Sequence, residues 1–198
     1  MHNHRQKRFF FCLFIRIYNM GAILLTLRNR KNMSKQKDQK RKAQLSERSK
    51  NESFKFQVEY ARQQRGTFIA ADAPELRVEV DAICQNGLVD AMLALRDIVD
   101  GVRREFGIEP ENERCSLNGA IVPYLLGITT VCPDSADTYV PGLFLCEYPL
   151  QVVVAYDNEV RNQVVDWAKA RFDGMTTRLG QPILKLPKMV VEFKRILK

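Results

Sequence analysis

Residues 149–174, PLQVVVAYDNEVRNQVVDWAKARFDG, contain two elements in succession. Gln151 opens a short run, Val152, Val153, Val154, Ala155 and Tyr156, whose β-branched and aromatic side chains suit a strand. Asp157 or Asn158 can then cap a helix. Val160, Val164, Trp167, Ala168 and Phe172 recur along one face of that helix, and Gly174 ends it. A buried strand leading directly into an amphipathic helix points to a mixed fold, in which helices cover a small sheet.

Upstream, the pattern is helical. Leu88, Ala91, Met92, Leu95, Ile98, Val99, Val102 and Phe106 recur at three- and four-residue steps, with Arg96, Asp97, Asp100, Arg103 and Arg104 between them, so a helix is expected from Leu88 to Phe106 with Gly107 as its stop. An earlier helix starts at Pro74, carries Glu75 and Glu79 as acids favoured near an N-terminus, and closes at Asn86-Gly87. The loop GIEPENERCSLN leads into a short apolar helix from Gly119 to Leu126, closed by Gly127. Gly142-LFL reads as a further strand. The basic end, TRLGQPILKLPKMVVEFKRILK, reads as a strand and a final helix. The expected class is α+β: mostly helical, with a small β-sheet and a disordered basic N-terminal segment.

Charge divides the chain. Residues 1–50 hold 14 Lys and Arg against Asp38 and Glu47, a net of +12, while the remaining residues hold 17 basic and 21 acidic side chains, a net of −4. Residues 1–33 read as a mis-assigned leader or a hydrophobic segment. The run FFFCLFIRIYNMGAILLTL over 9–27 is apolar, but Arg16 and Asn19 interrupt it, and Met33 opens a polar sequence suited to a start. Residues 34–74 read as a basic, largely disordered arm, 75–174 as the folded domain and 175–198 as a basic C-terminal extension. The histidines are His2 and His4, which excludes a His-based triad in the folded part; with no Cys-x-x-Cys pair either, the spacing argues against an ordinary zinc site. Five scattered cysteines suit reduced thiols and a cytoplasmic setting.

Arg114-Cys115-Ser116-Leu117-Asn118-Gly119-Ala120, followed by Ile121-Val122-Pro123-Tyr124-Leu125-Leu126-Gly127-Ile128-Thr129, resembles the palm of the bacterial replicative DNA polymerase III alpha subunit. That family has a Gly-Arg-Gly-Ser-x-x-Gly-Ser loop before an apolar helix ending Tyr-x-Leu-Gly-Ile-Thr. VDAICQNGLVDAMLALRDIVDGVRREFGIE upstream and Asp157 to Val165 downstream are similar in pattern, so the likeness covers about half the chain, from Glu79 to Phe172. It implies a palm-like α+β domain in which Arg114, Ser116 and Gly119 belong to a loop that cradles the triphosphate of a nucleotide. Cys115, Leu117, Asn118 and Ala120 depart from the family's small residues.

The strand departs further. After a Pro, the family carries Asp at alternate positions, on one face, to hold two magnesium ions. Here Leu150, Val152 and Val154 follow Pro149, and hydrocarbon cannot ligate a hard cation. The expectation is therefore a non-catalytic, palm-like accessory or DNA-binding protein without catalytic residues or a cofactor. Lys35, Lys37, Lys40, Arg41 and Lys42 would contact DNA. DNA and replication proteins are the implied partners. The residues identify no small-molecule substrate, and the interrupted run at 9–27 argues against a membrane. One alternative is a nucleotide-binding or nucleotidyltransferase enzyme with displaced ligands, which would need magnesium. The other is a helix-rich interaction module, membrane-anchored if residues 9–27 are genuine, with an accidental likeness.

Overall fold

The computed structural model describes residues 3–65, 69–70, 73–111, 115–133, 140, 142–145 and 149–196, together with the side chains of these residues except 3–32 and 34. The element order is α1 (Asn3–Arg65), α2 (Pro74–Gln85), α3 (Val89–Phe106), α4 (Ile121–Leu125), a 3-10 turn (Leu143–Leu145), β1 (Leu150–Asp157), α5 (Asn158–Arg171), β2 (Met175–Arg178), β3 (Gln181–Leu186) and β4 (Met189–Ile196). The α+β class holds. Among the described residues no helix is long and apolar enough to cross a membrane.

Two compact units divide the chain, Met1–Ser49 and Lys50–Lys198, and the division falls inside α1. Residues 34–65 are therefore helical, where a largely disordered arm was expected. Lys, Gln, Glu, Arg and Ala are strong helix formers, so a composition that resembles disorder also suits an exposed helix. Phe54 and Val58, one turn apart, are buried, and Ala61 packs beside them. This places the end of α1 within the folded unit and moves the unit's boundary from 75 to Lys50.

In the second unit the sheet order is β1-β4-β3-β2, with β1 parallel to β4 and the other pairs antiparallel. Residues 175–198 are thus no extension. They supply three of the four strands, and β4 lies between β1 and β3. The expected final helix is replaced by β4 because Met189, Val191 and Phe193 alternate with less buried residues and pair with Leu150, Val152 and Val154. These six side chains form one buried face, shared with Val164, Val165 and Ala168 of α5. The expected strand at Gly142-LFL is the 3-10 turn, which buries Phe144 and ends where the Asn86 amide donates to the Phe144 carbonyl (3.0 Å).

Helices α3 and α5 meet at Gly101, where an added Cβ would overlap the Trp167 ring. A glycine inside a helix costs about 1 kcal/mol relative to alanine, and the close approach of the indole is what it makes possible. The β2–β3 hairpin turns at Leu179-Gly180, both at positive φ (50° and 76°), as a two-residue hairpin requires.

Candidate functional site

The Ser116 loop leads into α4 and lies beside β1. Cys115, Leu117 and Ala120 are buried and anchor the loop in the core, and burial pushes the Cys115 thiol above its ordinary pKa. Ser116 is exposed, and its Oγ accepts the Val153 N–H at 3.0 Å. Five residues earlier, the Glu111 N–H donates to the Ala155 carbonyl at 2.9 Å. These two bonds satisfy outward-facing backbone groups of β1, which is an edge strand and would otherwise offer a free pairing surface. Ser116 therefore closes a sheet edge.

Gly119 is buried, and its carbonyl accepts the Val140 N–H at 2.9 Å. The N-terminus of α4, which the polymerase likeness assigns to phosphate, is occupied by a side chain of the same chain. Glu79 on α2 is only 4% exposed and accepts from the N–H of Ile121 (Oε1, 2.9 Å) and of Val122 (Oε2, 2.8 Å). Burial pushes the Glu79 carboxyl up to about 7, while the two backbone donors work in the opposite direction. A carboxylate taking two N–H groups at a helix start does what a bound phosphate would do, without a ligand.

Glu79 is the buried acid of this site that the sequence reading placed in a first turn. It lies beyond the first turn of α2, where only Glu75 sits. The signal was its spacing: Leu76, Glu79, Val80 and Ile83 fall on one helix face, and all four are buried.

Leu150, Val152 and Val154 are buried in the shared core. Among the described residues no three His, Cys, Asp or Glu side chains gather to hold a metal ion. Arg114 lies outside the described residues. Lys35, Lys37, Lys40, Arg41 and Lys42 are all exposed on α1 and belong to the Met1–Ser49 unit, whereas Ser116 and Gly119 belong to the other. The two predicted groups thus fall in different units. No protein-family model and no curated protein matches the chain.

Within Met1–Ser49, Lys37, Arg41 and Arg48 are spaced by four and seven residues, so they share one stripe of the helix, with Lys40 beside it. Lys35 and Lys42, seven apart, form a second short row. From Lys37 to Arg48 the stripe is about 16 Å long at the helical rise. Such a row offers positive charge to a polyanion at fixed intervals.

Proposed function

We propose that the protein is a non-catalytic DNA-binding protein, an accessory factor of palm-like ancestry acting in the cytoplasm, that uses the exposed basic stripe of α1. The observation that carries this reading is the stripe Lys37, Lys40, Arg41 and Arg48, exposed throughout and fixed on a helix. The absence of polymerase chemistry is supported by the hydrocarbon face of β1 and by the Glu79 carboxylate on the N-terminus of α4. A triphosphate would have to displace that carboxyl group from both N–H donors.

Fluorescence anisotropy with a labelled duplex, repeated across a range of salt, tests the proposal. Four phosphate contacts give a slope of log K against log salt of about −3.6, and the combined changes Lys37→Gln, Lys40→Gln and Arg41→Gln reduce its magnitude by about 2.7. Affinity should fall alike for all sequences, because phosphate contacts carry no base information. Salt-insensitive binding, or a slope unchanged by the three substitutions, would refute it.

A further inference from the structure

Among the described residues, the hydrogen bonds of Arg161, a buried cation on α5, all end on neutral oxygens. It is 5% exposed and lies on the same helix face as Val164, Val165 and Ala168. Its Nε donates to the Phe193 carbonyl (3.1 Å), one terminal nitrogen to Asn162 Oδ1 (3.2 Å), and the other to Gln181 Oε1 (3.1 Å). A guanidinium has five N–H donors, so two remain after these three bonds. Burying such a group without a counter-charge is unfavourable, and buried arginines are ordinarily paired with carboxylates.

A second cation stands beside the first. Arg195, exposed near the end of β4, donates to the same Asn162 Oδ1 (3.3 Å). One neutral amide oxygen thus holds two guanidinium groups together. Burial, and then the nearness of Arg195, lower the Arg161 pKa below the ordinary arginine value. Among the described residues no acid bonds to Arg161. Asp157, the last residue of β1, falls by strand alternation on the face opposite Val152 and Val154. Glu192 on β4 pairs with Lys194 at 4.0 Å, and Glu159, two residues from Arg161, points away from it around α5. Arg178, exposed at the end of β2, stands opposite Gln181 in the hairpin and adds a third positive charge to this end of the sheet.

The geometry points to a phosphate-anion site where the C-terminal ends of parallel β1 and β4 meet the first turns of α5, gripped by Arg161 and Arg195. The anion supplies the negative charge that the buried guanidinium lacks. Arg161 is already oriented by three bonds, and Arg195 closes on the anion from the exposed side. Planar guanidinium forks match the oxygens of a phosphate group, and two of them bind it more firmly than either alone. The C-terminal ends of parallel strands are also where open α/β sheets ordinarily receive ligands. This site lies wholly in the Lys50–Lys198 unit, whereas the basic stripe belongs to Met1–Ser49.

Nuclear magnetic resonance of the full chain reads the site directly through the Nε–H signals of Arg161 and Arg195. Inorganic phosphate, titrated against chloride at matched ionic strength, should shift both signals saturably. Arg195→Gln should weaken binding at least about tenfold, and Arg161→Lys, which keeps the charge but loses the fork, should do the same. Signals that move identically in chloride and phosphate, or that saturate unchanged in Arg195→Gln, overturn the inference. A short oligonucleotide then separates the sources: if it displaces inorganic phosphate, the site takes a phosphodiester backbone. If phosphate still binds undisplaced, the site takes free phosphate or a monoester, and either result upholds phosphate recognition. The Gln variants of Lys37, Lys40 and Arg41 should leave the Arg161 signal unaltered, so failure here and failure of the DNA-binding reading are distinguishable.

Discussion

Glu79→Gln is the most informative single substitution, because it tests a bond pattern and a titration at once. The Glu79 carboxyl is raised from 4.5 to about 7 by burial. A folded-state pKa above the unfolded value means that the fold prefers the protonated form. The stabilising contribution is complete below about pH 4.5, declines as pH rises through the interval, and is lost above about pH 7. A shift of this size corresponds to about 3.4 kcal/mol over the whole window, of which about 2.5 kcal/mol falls between pH 5 and 8. That is a large share of the roughly 5–15 kcal/mol that holds a domain folded. Glu59 titrates in the opposite sense and in another window: Arg62 lowers its carboxyl to about 2, so its contribution is present above 4.5 and disappears only as pH falls toward 2.

The assay is urea unfolding at about pH 5 and about pH 8, followed by the emission of Trp167, the single tryptophan, which packs between α5 and α3. The wild-type chain should lose about 2–3 kcal/mol between the two conditions. Glu79→Gln has no proton to lose and should be nearly flat. It should also be offset downward by about 1–2 kcal/mol, because an amide offers one oxygen to two N–H donors and sets its own NH2 against the second. Equal pH slopes in the two proteins, or a wild-type stability constant across the window, would refute the assignment of Glu79 as a buried, titrating clasp on α4.

Two other substitutions test the sheet. Leu179→Asn should stabilise the protein by about 1 kcal/mol in the same urea assay, since leucine at positive φ is strained and asparagine tolerates it; the side chain is 96% exposed, so little packing is lost. Val152→Asp, which puts a carboxylate on the β1 face, should cost about 4 kcal/mol or more, because a fully buried position would take an unpaired charge. Circular dichroism should show a largely unfolded body that magnesium does not rescue; a folded variant stabilised by magnesium would show that this face accepts a cation.

The central helices and β1 were legible because their own residues determine them. α3 carries a full apolar stripe and ends at Gly107, and the valines of β1 exclude solvent on the face expected to be core. The remaining differences have distinct causes. The Lys- and Gln-rich stretch before Lys50 suits an exposed helix as well as a disordered chain, and only the spacing of Phe54, Val58 and Ala61 marks one buried face. The run MVVEFKRI is too short for its period to separate helix from strand. Pairing with β1, some forty residues earlier, decides it. Glu79 has partners 42 and 43 residues away, a distance at which no local pattern operates.

Glu79 and Arg161 are both buried and ionisable, yet their surroundings lead to opposite consequences for ligands. Around Glu79 the balance is internal: its carboxyl group takes two backbone donors at the positive end of α4, so an incoming anion finds both donors already engaged. Ser116 is engaged in the same way, since its hydroxyl already accepts from the β1 edge. Around Arg161 the balance is incomplete, because three neutral oxygens orient the guanidinium without neutralising it and Arg195 adds to the excess. Binding is favoured where a ligand supplies what the fold lacks. By that criterion an anion gains little at the loop that resembles a triphosphate cradle and more at the end of β4, on residues that no motif singled out.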